Sequence, residues 1–205
     1  MGRYHQWLWT ECNLPADFRE ATIRDFDRSK PGNKRAAEAA IQFLTGELPT
    51  QWLAFQGGYG CGKTHLAAAI VRGFVLQGVH ARYVCSVAML EFLKEQIGKG
   101  QFQESYDSLK RLTVLAIDDF GMEYSTDWAR ETMEELIDYR YREGIPTVIT
   151  TNLQVEQIKP RILSRLKDQR MCTLVLNDAP DFREGQPVTA RKPSASAQKG
   201  YYWQS

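Results

Sequence analysis

Five short apolar runs recur along the chain: Trp52–Phe55, Ala81–Cys85, Leu112–Ile117, Thr147–Thr151 and Cys172–Leu176. Each is separated from the next by a stretch long enough for a helix. Parallel strands need crossover connections of about a dozen residues or more, and this β-α-β alternation supplies them. The runs are apolar at nearly every position rather than at every second one. Strands of that kind are covered on both faces, which predicts an α/β three-layer sandwich around a five-stranded parallel sheet. A chain of 205 residues suffices for one such domain and is too short for two.

Composition narrows the function classes. The 26 Lys+Arg and 25 Asp+Glu leave a formal charge of +1, so no overall basic field points to nucleic acid, and any such contact must be local. Cys12, Cys61, Cys85 and Cys172 form no C-x-x-C pair and the three histidines are scattered. That spacing argues against a zinc site and a disulfide framework, and fits reduced thiols in a cytoplasmic protein. No run approaches the ~18 apolar residues of a membrane span.

Between the first apolar run and the helical segment His65–Leu76 lies Gly57-Gly58-Tyr59-Gly60-Cys61-Gly62-Lys63-Thr64, which satisfies G-x-x-x-x-G-K-[ST]. The glycines let the backbone wrap a phosphate with its N–H groups turned inward, a path that side chains would block. Lys63 brings a cation to the β- and γ-phosphates. Thr64 offers a hydroxyl to Mg²⁺, and the helix that begins there turns its positive end toward the anion. The strand–loop–helix context makes this a nucleotide-binding loop.

The third run ends in Asp118-Asp119, which sets two carboxylates at the carboxyl edge of the sheet, where ligands bind. Asp118 is the candidate Mg²⁺ partner. Asp119 either orients or deprotonates an attacking water, or caps the following helix. Thr150-Thr151-Asn152 ends the fourth run at the same edge. Asn152 there either hydrogen-bonds the γ-phosphate or the lytic water, or serves as a turn residue before Val155. Arg161, Arg165, Lys167 and Arg170 crowd into ten residues, with Arg161 and Arg165 on one helical face. The cluster is either a solvated surface or the source of an arginine offered to a neighbour's γ-phosphate.

These segments together resemble the AAA+ ATPases of the DnaC/DnaI helicase loader and IstB transposition helper family. The marks are the lead-in LPADFREATIRDFD, the loop GGYGCGKTHLAAAI, the strand end LAIDDFG, and the segments VITTNL and RILSRLKDQR, within residues 14–183. The resemblance implies an ATP-binding, ATP-hydrolysing AAA+ P-loop domain without a helical lid, using ATP and Mg²⁺. It implies an adenine pocket at Phe18, Ala21, Thr22, Ile23 and Phe26, with His65 completing the nucleotide contacts. Asn152 takes the place of the polar sensor and Arg165 that of the arginine finger. Subunits are expected to form an open ring or spiral with ATP at each interface and single-stranded DNA inside. The DNA contacts would come from Lys94, Ile97, Lys99 and Phe102 on one side and Thr126 and Trp128 on the other. Aromatic stacking with nearby cations suits sequence-independent binding, and Trp128 could equally pack in the core.

Many loaders carry glutamate where Asp119 stands; the shorter side chain predicts slow turnover or a long-lived ATP state. Residues 1–14, with Tyr4, Trp7, Leu8 and Trp9, show no clear period and read as a strand edge, a helix start or an exposed arm. The expected division is an N-terminal aromatic arm (1–14), the AAA+ domain (15–178) and a flexible tail (179–205). The arm replaces the loaders' helicase-gripping domain in this scheme. The leading functional expectation is a helicase loader assembling on single-stranded DNA. The alternative is an IstB-like ATPase that assembles on duplex DNA and serves a transposase. A small-molecule kinase would share the loop but leave the TTN and SRL segments without a role.

Overall fold

The computed structural model describes residues 2–121 and 126–182. The five apolar runs are five strands, β1 (Trp52–Gly57), β2 (Ala81–Cys85), β3 (Val114–Asp118), β4 (Thr147–Thr151) and β5 (Cys172–Asn177). They pair in parallel in the order β2-β3-β4-β1-β5. Among the described residues, seven α-helices surround them: α1 (Arg3–Glu11), α2 (Pro31–Thr45), α3 (Lys63–Leu76), α4 (Ser86–Lys99), α5 (Phe102–Arg111), α6 (Asp127–Arg142) and α7 (Pro160–Leu166).

Side chains alternate across each strand, so the sheet divides the interior into two cores. Leu53 and Phe55 of β1 pack with Leu8, Ala36, Ala40, Leu66 and Ile70, which places α1, α2 and α3 on one face. Trp52 and Ala54 pack with Met89, Leu93, Tyr106, Leu136 and Ile162, which places α4 through α7 on the other. The apolar character of nearly every strand position follows from this double cover. The expected three-layer α/β sandwich with a five-stranded parallel sheet is the fold found.

Residues 3–11 form α1, which packs on the domain. Leu8 is fully buried and joins Cys12 and Leu14 in the core beneath α1. Beyond the helix the chain runs along the exposed edge of β2. Tyr83 N–H donates to Cys12 O at 2.9 Å, Asn13 Nδ2 donates to Tyr83 O at 3.0 Å, and Arg82 pairs with Glu11. An uncovered edge strand is a template for unwanted pairing, and this segment blunts it. The missing period has a simple cause: only one side of a nine-residue helix is covered, while Tyr4 and Trp7 stay largely exposed and stack on each other.

At the amino-terminal ends of β3 and β4, Arg140 is fully buried. Its guanidinium donates to the carbonyls of Leu109, Lys110, Leu112 and Pro146 and to Thr147 Oγ1. It thereby ties the end of α5 to the starts of β3 and β4. No helix among the described residues is long and apolar enough to cross a membrane. The expected tail lies outside the described residues from 183 onward, Tyr201, Tyr202 and Trp203 included.

Candidate nucleotide-binding site

The loop Gly58–Gly62 connects β1 to α3 at the carboxyl edge of the sheet. Gly60 and Gly62 adopt φ of 67° and 87°, and a Cβ on Gly62 would stand 2.4 Å from the Phe26 ring. Only glycine meets both demands without strain. Lys63 opens α3 and is buried, and its Nζ donates to Gly57 O at 3.0 Å and Gly58 O at 2.6 Å. The loop's own carbonyls therefore hold the charge that the motif assigns to phosphate.

A cleft of about 920 Å³ opens beside the loop, lined by Phe18, Phe26, Tyr59 to His65, Asp119 and Asn152. The sequence also missed part of its wall: Asp25, Asp27, Lys30 and Asn33 on one side, and Pro180, Asp181 and Phe182 on another. The segment after β5 lies over the loop, with Phe182 N–H donating to Gly60 O at 3.1 Å. Asn177 anchors it, donating to Cys61 O at 2.9 Å and to Asn33 Oδ1 at 3.0 Å. No motif marks Asn177, because its partners are distant in the chain.

Of the aromatic pocket expected around the base, Phe18 and Phe26 line the cleft and flank the His65 ring at 6.2 and 5.7 Å. Ala21 and Ile23 are buried in the core beneath it. Thr22 does not line the cleft: its hydroxyl donates to Asp25 Oδ2 at 2.6 Å within a tight turn, and its carbonyl meets His65 Nε2 at 2.8 Å. A threonine followed three residues on by aspartate closes such a local turn, with Asp25 N–H donating back to Thr22 Oγ1 at 3.2 Å.

Strand order explains how the polar groups meet. β4 lies between β3 and β1, so its end stands between the two acids and the loop. Asp118 is almost wholly buried. Thr64 Oγ1 donates to its Oδ2 at 3.0 Å, Tyr83 Oη donates to the same oxygen at 2.5 Å, and Thr150 Oγ1 donates to Oδ1 at 2.5 Å. Burial and the adjacent Asp118 charge push the Tyr83 phenol far above its ordinary range, so its proton stays in place. Thr64 and Asp118 are both hard oxygen donors and lie within reach of one ion, which fits Mg²⁺.

Asp119 sits at φ 54°, a left-handed conformation that costs an L-residue roughly 1–2 kcal/mol. Ser86 Oγ donates to its carbonyl and its own N–H donates to Thr150 Oγ1 at 3.0 Å, so the turn is over-determined. Asn152 Nδ2 donates to Asp119 Oδ1 at 3.2 Å. Among the described helices neither residue is a cap: Thr126 caps α6, and Gln154 opens the short turn Val155–Gln157. Both side chains instead face the cleft.

Arg165 lies on α7 and does not line the cleft. It pairs with the buried Asp138 at 2.7 Å, lies 5.2 Å over the Tyr141 ring, and is only 17% exposed; Arg161, 63% exposed, pairs with the same carboxylate. Lys94, Ile97 and Lys99 are exposed toward the end of α4. Phe102 and Trp128 are brought together, 6.4 Å apart, and both are half-buried against the α4–α7 core. Phe102 also stacks on Tyr106 at 5.3 Å, and the Thr126 hydroxyl accepts from Ala129 N–H. The two aromatic candidates thus pack against the core.

A parallel sheet of this order, with a glycine-rich phosphate loop after β1, acids after β3 and an amide after β4, defines a P-loop ATP-binding domain of the AAA+ type. The family described as IstB-like ATP binding protein matches residues 16–178, and the chain belongs to it. It is 25% identical over 158 residues to the replicative helicase loader DnaI of Bacillus subtilis, covering 75% of this chain and 51% of that protein. It is 28% identical over 176 residues to an insertion-sequence ATP-binding protein of Mycobacterium tuberculosis, covering 80% and 68%. The crystal structure of the DnaC helicase loader superposes with a TM-score of 0.71 at 23% identity, covering 80% of this chain and 100% of that one. The chain therefore spans about half the length of the helicase loader relative that it matches.

Proposed function

We propose that the protein binds Mg-ATP in this cleft, assembles with further copies on single-stranded DNA and delivers a replicative helicase, hydrolysing ATP slowly. The convergence of Lys63, Thr64, Asp118, Asp119 and Asn152 at one sheet edge, reached from three separate strand ends, carries the nucleotide part. Loop N–H groups and Lys63 bind the phosphates, and Lys63 exchanges its carbonyl partners for phosphate oxygens. Thr64 and Asp118 would hold magnesium, which would supply positive charge to the phosphate oxygens. Asp119 and Asn152 orient the water that attacks the γ-phosphorus as its bond to the bridging oxygen breaks. Arg165, absent from its own subunit's cleft, would act on the ATP of a neighbour.

The likeness to the DnaI loader supports the helicase reading, and Lys94, Lys99, Phe102 and Trp128 offer the DNA contact. The match to the IstB-like family supports a second reading, in which the assembly forms on duplex DNA and serves a transposase. ATP-dependent assembly followed by light scattering separates them. Growth of scattering with single-stranded DNA is the expected result; growth with duplex alone transfers the function to transposition.

A further inference from the structure

Three hydroxyls converge on the Asp118 carboxylate, and two belong to segments already expected at the site, Thr64 of the phosphate loop and Thr150 of β4. The third, Tyr83, comes from β2, two residues before that strand ends and outside every motif. Tyr83 pairs in register with Ala116, and side chains alternate, so Tyr83, Ala116 and Asp118 share one face of the sheet. The phenol thus reaches diagonally along that face to Asp118 Oδ2 at 2.5 Å, a buried charge-assisted contact.

The strand beneath it is fixed as well. Cys12 O and Asn13 Nδ2 bind the Tyr83 N–H and carbonyl from outside the sheet, so the ring enters from a backbone held on both edges. A hydroxyl has one proton and two lone pairs, so Thr64 can donate to Asp118 and still offer oxygen to a cation. Tyr83 spends its one proton on the same Asp118 oxygen as Thr64 does, from the neighbouring strand β2. We infer that Tyr83 is a positioning residue for the nucleotide-associated Mg²⁺: its phenol sets the plane of the Asp118 carboxylate and thereby the coupling between metal and ATP. The inference rests on the Mg-ATP reading of the cleft.

Outer hydrogen bonds of this kind typically contribute about 10–100-fold in metal affinity. The readout is the ratio of ATP dissociation constants in EDTA and in excess Mg²⁺, measured by calorimetry on the full chain. Tyr83→Phe is expected to lower that ratio about tenfold while leaving the EDTA value unchanged. Tyr83→Met, which also lacks the hydroxyl, gives the same shift if the phenyl variant folds poorly. In an Asp118→Asn background, Tyr83→Phe adds no further loss. A role limited to packing would weaken ATP binding equally with and without metal, and that outcome overturns the inference, as does an additive loss in the double variant. A wild-type protein that binds no ATP overturns the nucleotide reading and this inference together. Equal tightening by magnesium in wild type and variant overturns the inference alone.

Discussion

Asp119 concentrates the residue-scale argument. An L-residue with φ of 54° is held there by Ser86 and Thr150, which bind its backbone carbonyl and N–H. The sequence showed an acid at the sheet edge and allowed it to be a cap; the positive φ turns its side chain toward Asn152 and the cleft instead. Asp119→Asn is expected to leave ATP binding intact and slow hydrolysis by about 10²–10⁴-fold, in the range of a lost general base. Parallel calorimetry and phosphate release check it, and undiminished release would mean that another group handles the water. Lys63 and Asp118 were legible because their motif encodes a chemical demand in a few adjacent residues. Tyr83 and Asn177 were not, since each acts across the sheet on a partner far along the chain. One signal for Tyr83 existed: a phenol in a strand covered on both faces must find a hydrogen-bond partner.

At the scale of elements, strands and helices were readable wherever periodicity was sustained. β2 and β4 keep the expected bounds, and β1, β3 and β5 differ by one or two residues at their ends. α1 escaped because, among its described side chains, Leu8 alone is fully buried, with Trp9 packed partly against the core, too few residues to show a repeat. Its role in the domain is testable. Leu8→Ala should destabilise the chain by about 2–5 kcal/mol, read from the denaturant midpoint, whereas an arm outside the fold would leave the midpoint unmoved. Arg140 gives the polar counterpart. Replacing it with methionine removes the guanidinium donor from the carbonyls of Leu109, Lys110 and Leu112 and leaves Pro146 O only its Leu115 N–H, and a loss of about 3 kcal/mol or more is expected in the same measurement. A neutral result would show that water reaches those carbonyls.

For the whole molecule, the decisive arrangement is a cleft that contains a phosphate loop, two acids and an amide while the candidate arginine stands elsewhere, paired with Asp138. Under the proposed function, a second copy would complete this site by bringing its Arg165 to it. Arg165→Ala is expected to spare ATP binding and reduce assembly-dependent hydrolysis by about 10³-fold. Arg165→Lys keeps a cation beside Asp138 without the planar fork, so it serves as the folding control. Retained cooperative hydrolysis in both would move the role to Arg161, the more exposed partner of the same carboxylate. Sequence by itself determined the layer architecture and the phosphate-binding chemistry, because hydrophobic periodicity and a contiguous glycine-lysine motif are properties of neighbouring residues. Only the tertiary structure decided which groups surround the Asp118 carboxylate, what covers the loop and where Arg165 points. Those depend on strand order and register, which bring together side chains that no local pattern links.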